Sequence, residues 1–112
     1  MNYTVMIGEF VGMFVLVFTI LSTVEYIKNI HVRLIFQALA FYLGINIAIF
    51  FSEAHLNPIR TLVEYIYGLI TFQEFISYVF PQIMAGIIAL VIFDTFVTKK
   101  KYLIKKYFSK KK

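Results

Sequence analysis

The sequence predicts an all-α integral membrane protein with three spanning helices and one re-entrant half-helix. Three observations lead there. Of 112 residues 61% are hydrophobic, and the mean hydropathy is +0.82, too apolar for a soluble domain of this length. Three nearly continuous apolar runs are each long enough to cross a hydrocarbon core of about 30 Å. Between the second and third lies SEAHLNPIRTL, residues 52–62, which gathers a carboxylate, an imidazole, an Asn-Pro pair and an arginine. The chain has no cysteine, so disulfides, thiolate chemistry and Cys-ligated metals are excluded. A cleavable signal peptide is not expected, because no Lys or Arg precedes the first apolar run and no small-residue cleavage site follows it.

The first span is expected over residues 5–24. Gly8 and Gly12 make a small-xxx-small pair, with Thr19, Ser22 and Thr23 near the same helical face. Small residues let helices approach closely, so this face should meet protein rather than lipid. Glu9 breaks the apolar rule. A carboxylate in hydrocarbon costs several kcal/mol unless it faces hydrogen-bond donors in the bundle interior. A re-entrant loop supplies such donors, since its N–H groups are not all paired within a helix. Glu9 therefore either braces the loop that carries Asn57 or sits near the water boundary.

Residues 25–33, with Lys28, His31 and Arg33, form a polar connection in which His31 is given no role. The second span, 34–51, is about 27 Å long as a helix. Its Gln37, Ala40, Gly44 and Ala48 recur at spacings of three and four, giving one small, mildly polar face. Asn46 lies roughly opposite, where it lines an aqueous path or bonds to a neighbouring helix.

The re-entrant segment is placed at 52–68. Asn57 reads as a helix N-cap and Pro58 as the first helical position, where the missing N–H is not needed. Gly68 offers a C-terminal stop. The helix between them is roughly 15 Å long, half a bilayer core. After a connection at 69–74, the third span runs over 75–97. Gln82, Ala85, Gly86 and Ala89 form another small, polar face, Pro81 lies near the start, and Asp94 should reach the interface. The membrane domain thus covers residues 1–98, followed by a polybasic tail over 99–112. Lys99, Lys100, Lys101, Lys105 and Lys106, interleaved with aromatic and aliphatic residues, suit contact with the headgroups of an anionic leaflet. Nucleic-acid binding ranks below lipid contact for such a tail beside a membrane span.

Ten of the eleven Lys and Arg residues fall in the tail or in residues 25–33, and Arg60 is the remaining one. By the positive-inside rule both segments are cytoplasmic (or the equivalent inner face), the N-terminus is on the opposite face, and the half-helix enters from that opposite side.

Four pieces of this sequence together resemble the aquaporins of the major intrinsic protein family. They are GEFVGMF in the first span, AFYLG in the second, AHLNPIRT at the half-helix, and YVFPQIMAG with IFDTFV in the third. They follow the family's order and cover nearly the whole chain. The family is built from two inverted repeats, each of three spanning helices with a half-helix after the second, and this chain resembles one such half. The resemblance implies that Asn57 and Pro58 match the Asn-Pro of the family motif. It implies that Glu9 matches the buried glutamate bracing the half-helix loop, and that His55 matches the histidine before the first motif. Arg60 stands where the second repeat has its selectivity arginine. Two residues depart from the pattern: Ile59 replaces the motif alanine, and Glu53 stands where a first repeat usually has glycine. The segment before the motif is also shorter, so filter residues from the second helix are not carried over.

The expected function is a half-channel for passive passage of water or small neutral solutes, with Asn57, Pro58, Arg60 and His55 as pore and selectivity residues. A complete pore needs two half-helices meeting at the midplane, so pairing with a second half, a homo-oligomer or a larger membrane complex is implied. The alternative is a structural membrane subunit of a larger assembly, such as a virion membrane or organellar complex. Arg60 is either a free charge or neutralised by Glu64 or Glu53. No cofactor, metal site or catalytic residue is expected, and an enzyme is not. Glu53 and His55 are the one titratable pair at catalytic spacing, and loop geometry explains them as well.

Overall fold

Asn2 starts the first helix, its side chain accepting a hydrogen bond from the Val5 N–H at 3.2 Å. In this computed structural model, which describes residues 2–102 and 104–108, helix α1 runs Tyr3–Tyr26. It exceeds the expected span by two residues at each end. Helix α2 covers Ile30–Ala48 and so begins four residues before the expected 34. Asn29 is the reason: its Oδ1 accepts from the N–H groups of His31 at 2.9 Å and Val32 at 3.2 Å. His31 and Arg33 consequently ride on the first turn of α2 instead of occupying a connection. At the far end the N–H groups of Phe51 and Ser52 both turn onto the Ala48 carbonyl at 2.9 Å, which closes the helix early.

The short helix α3, Pro58–Ile66, follows an irregular descent through residues 53–57. It stops as its sequence implies. Gly68 adopts φ +87°, a left-handed conformation that costs glycine nothing. Its N–H reaches the Tyr65 carbonyl at 3.1 Å, and the next N–H, of Leu69, reaches that of Glu64 at 2.9 Å, satisfying two end carbonyls. Helix α4, Phe72–Ile92, widens into a π-helical turn over Phe93–Val97. It begins three residues before the expected 75. Thr71 Oγ1 accepts from the Glu74 N–H at 3.1 Å while Glu74 Oε1 accepts from the Thr71 N–H at 2.8 Å, a reciprocal cap. Pro81 lies ten residues into this helix, deeper than expected.

α1 is central, with α2 packed on one side and α4 on the other, while α3 leans on α4. Its two glycines set the spacing to α2. A Cβ placed on Gly12 would meet the Gly44 carbonyl oxygen and Leu56 Cδ2 at 2.9 Å, and one on Gly44 would meet the Gly12 oxygen at 2.9 Å. Met13, Leu16, Ala40, Ala48, Ala54, Leu56 and Ala85 form the core around this crossing. The three long helices, Tyr3–Tyr26, Ile30–Ala48 and Phe72–Val97, are each long and apolar enough to span a bilayer. Most of their large apolar side chains point outward, as lipid requires.

Asp94, expected at the interface, lies at the end of the third long helix. It is buried, and its Oδ1 accepts from the Tyr102 N–H at 3.0 Å, while its carbonyl accepts from the Lys101 N–H at 3.1 Å. The chain after α4 therefore folds back on the helix end. Lys100 Nζ lies 3.1 Å from Glu25, at the end of α1. Lys99, Lys101, Lys105 and Lys106 are exposed, and Lys106 Nζ lies over the rings of Tyr102 and Tyr107 at 5.7 and 5.5 Å. Leu103 and positions 109–112 of the expected tail lie outside the described residues.

Candidate functional site

The descending loop holds two non-glycine residues in the left-handed region, Ala54 at φ 53° and Leu56 at φ 49°. Such conformations cost on the order of 1–3 kcal/mol each and persist only where the surroundings impose them. Here the imposing group is Glu9. Its carboxylate is completely buried, yet every contact it makes is to a donor. Oε2 accepts from Ser52 Oγ at 2.6 Å and from the His55 N–H at 3.0 Å. Oε1 accepts from the Leu56 N–H at 2.9 Å and from Gln82 Nε2 at 2.8 Å. One side chain of α1 thus ties together the end of α2, the loop and α4.

Gln82 carries the same role from the other side. Its Nε2 also donates to Thr61 Oγ1 at 3.3 Å. Reversing the amide would set its oxygen against the Glu9 carboxylate, so the donor orientation is fixed by electrostatics.

His55 is completely buried behind the half-helix. Its ring stacks on Tyr78, with centroids 4.0 Å apart, and Tyr78 in turn accepts the Glu53 N–H at 3.2 Å. Thr61 donates its hydroxyl to the Asn57 carbonyl at 3.2 Å. The same oxygen lies 2.9 Å from His55 Nδ1, and the ring tautomer decides which of the two donates. The imidazole so positions α3 against α4 and touches no open face.

Asn57 and Pro58 open α3 at the surface. Asn57 Oδ1 caps the helix by accepting the Ile59 N–H at 2.9 Å, and the cap leaves the two Nδ2 hydrogens to project away from the helix as donors. Arg60 resolves into the paired state: its Nε lies 3.0 Å from Glu64 Oε2, one turn along α3, with the guanidinium half-exposed. Exposed pairs at this spacing contribute only about 0.3–0.5 kcal/mol. Arg60→Ala should therefore leave the melting temperature of the purified protein nearly unchanged, and a large fall would mean that Arg60 supports the fold directly.

Reasoning from sequence missed Thr61, Tyr78 and the bonds of Gln82. Thr61 is one helical turn after the Asn57 cap, the only local signal it carries; Gln82 stood out as a polar residue on a small-residue face, without its partner.

A family model described as major intrinsic protein matches residues 1–111. The chain belongs to the major intrinsic protein family. No curated protein and no solved structure matches it. Membership supports a channel for water or small solutes and fits a non-enzymatic role. Within that family frame, the geometry assigns the Asn-Pro half-helix to α3 and gives the carboxylate of α1 and the amide of α4 their shared contact.

Proposed function

We propose that this chain is one half of a passive channel for water or small neutral solutes, completed by a second unit whose half-helix enters from the opposite face. The supporting observation is the open side of α3. Ile59, Val63 and Ile66, at helical spacing, are 65%, 58% and 74% exposed, beside the Asn57 donors. An apolar stripe flanking polar groups on a half-length helix suits one wall of a pore whose other wall is a second protein unit. The positive N-terminal end of α3 and the Asn57 amide would orient a passing water oxygen and oppose cations.

The Lys100–Glu25 contact brings the tail beside the end of α1, in keeping with a cytoplasmic basic face and a half-helix entering from the other side. So strong a bias in charge gives each copy one orientation, which favours a different chain over an inverted copy as the second half. Asn57→Asp tests the channel cleanly, because Asp caps a helix as well as Asn while removing both donors and adding a negative charge. Vesicles containing the complex isolated in mild detergent should show osmotic water permeability above that of empty vesicles, and Asn57→Asp should abolish the excess. Permeability equal to that of empty vesicles for the unaltered complex would overturn the proposal.

The Arg60–Glu64 pair favours a second reading, a structural subunit that keeps the fold without conducting, since it neutralises the guanidinium beside the proposed pore wall. On that reading the protein co-purifies with a large assembly and Asn57→Asp has no effect.

A further inference from the structure

The loop and α3 also bring together three groups that the channel reading does not use. Glu53, His55 and Glu64 each offer one ligand atom, and these atoms lie within 4.8 Å of one another. His55 supplies Nε2, since its Nδ1 is engaged by Thr61 Oγ1 at 2.9 Å. Nε2 is buried with no hydrogen-bond partner, and it faces Glu64 Oε1 at 3.5 Å, too long for a well-formed hydrogen bond. The ring thus turns Nε2 toward one carboxylate, with a second carboxylate alongside. A buried, unpartnered imidazole nitrogen converging with two carboxylates is an arrangement that a cation satisfies.

We propose that Glu53, His55 and Glu64 form a binding site for a first-row divalent cation of the zinc class, which pins the half-helix to its descending loop. One imidazole nitrogen with two carboxylate oxygens is a donor set that Zn2+ accepts, leaving a fourth position for water. His55 is a prepared ligand. Its other nitrogen is held by Thr61 and its ring by Tyr78, the support from outside the coordination sphere that metal-bound histidines usually have. Access is open from the other side, since Glu53 is exposed and Glu64 is partly so. Arg60 occupies Glu64 Oε2 and leaves Oε1 for the metal. Ligands of a tetrahedral site stand on the order of 3.4 Å apart, so a rotation of the exposed Glu53 side chain would close the remaining distance.

The cation would cross-link residues 53 and 55 of the loop to the seventh residue of α3, and stabilise the folded chain by mass action. The test uses the full chain in detergent, titrated with Zn2+ or with Co2+ as a spectroscopic substitute. Saturable binding of one equivalent is expected, with a rise in melting temperature. Even partners outside the coordination sphere are worth about 10- to 100-fold in metal affinity, so Glu53→Gln and Glu64→Gln should each weaken binding at least that much. His31→Ala, at the other end of the chain's packing, should not change it. Glu53 is exposed and Gln at 64 still accepts from Arg60, so both variants should keep the circular dichroism of the parent. Absence of saturable binding, or unchanged affinity in either variant, would overturn the site and leave His55 and Glu64 as a plain imidazole–carboxylate contact. Water permeability does not enter this test, so its outcome is independent of the channel proposal.

Discussion

Glu9→Ala is expected to release the half-helix and leave little folded protein. The substitution removes the acceptor of four hydrogen bonds at once: Ser52 Oγ and Gln82 Nε2 keep their longer contacts to Ala48 and Thr61, while the buried His55 and Leu56 N–H groups are left with no acceptor. A buried donor left without an acceptor costs about 1–3 kcal/mol, and whole domains are stable by only about 5–15 kcal/mol. The loop would also lose the contacts that hold Ala54 and Leu56 at positive φ. Size-exclusion profiles in mild detergent should shift to aggregate, and amide exchange at His55 and Leu56 should rise toward that of an unprotected loop. Glu9→Gln separates charge from shape. It keeps one acceptor oxygen but aims an NH2 group at donors, so its melting temperature should fall between parent and alanine variant. A parental melting temperature in Glu9→Ala would show that the loop is held by other contacts.

The second large effect is expected at the α1–α2 crossing. At Gly12 and Gly44 each backbone carbonyl fills the space where the other residue's Cβ would stand. The obstacle is backbone and cannot swing aside. Gly12→Val should therefore push the helices apart and open the core around Leu56 and Ala48, a change of the kind that costs about 1–3 kcal/mol or more when a packed interior is overfilled. Gly86→Ala is the matched control. A Cβ there meets only Val17 Cγ2, at 3.9 Å, and should leave thermal stability unchanged. Equal stability of Gly12→Val and the parent would mean that the close approach is not required.

The features read best from sequence were those whose cause is local. Asn57, Pro58 and Gly68 delimit α3 through caps that need no partner beyond a few residues. Helix ends were read less well for a physical reason: spans that are apolar all round carry no periodic edge to mark where they stop. The caps were nonetheless written in the chain, Asn29 before α2 and the Thr-x-x-Glu spacing of Thr71 and Glu74 before α4. Glu9 announced its need for donors, since a carboxylate in an apolar run must find them. Which donors it finds was not legible. Gln82 comes 73 residues later, and the Tyr78 stack on His55 exists only after α4 has packed. The partner of Asp94 was not legible either, because it is the backbone of Tyr102, and a backbone N–H leaves no trace in residue identity.

The Glu9 contacts also bear on how the chain is made. Their sequence separations run from 43 residues for Ser52 to 73 for Gln82, so a membrane-insertion machine receives α1 long before any of its partners has been synthesised. A lone carboxylate at the centre of a span costs about 2.5–3.5 kcal/mol at insertion, and Glu9, seventh residue of α1, enters without its partners. Only when α4 has emerged is the set of donors complete. A ribosome-stalled chain ending before Gln82 would thus offer Glu9 three of its four donors, with the loop held from α1 but not yet from α4.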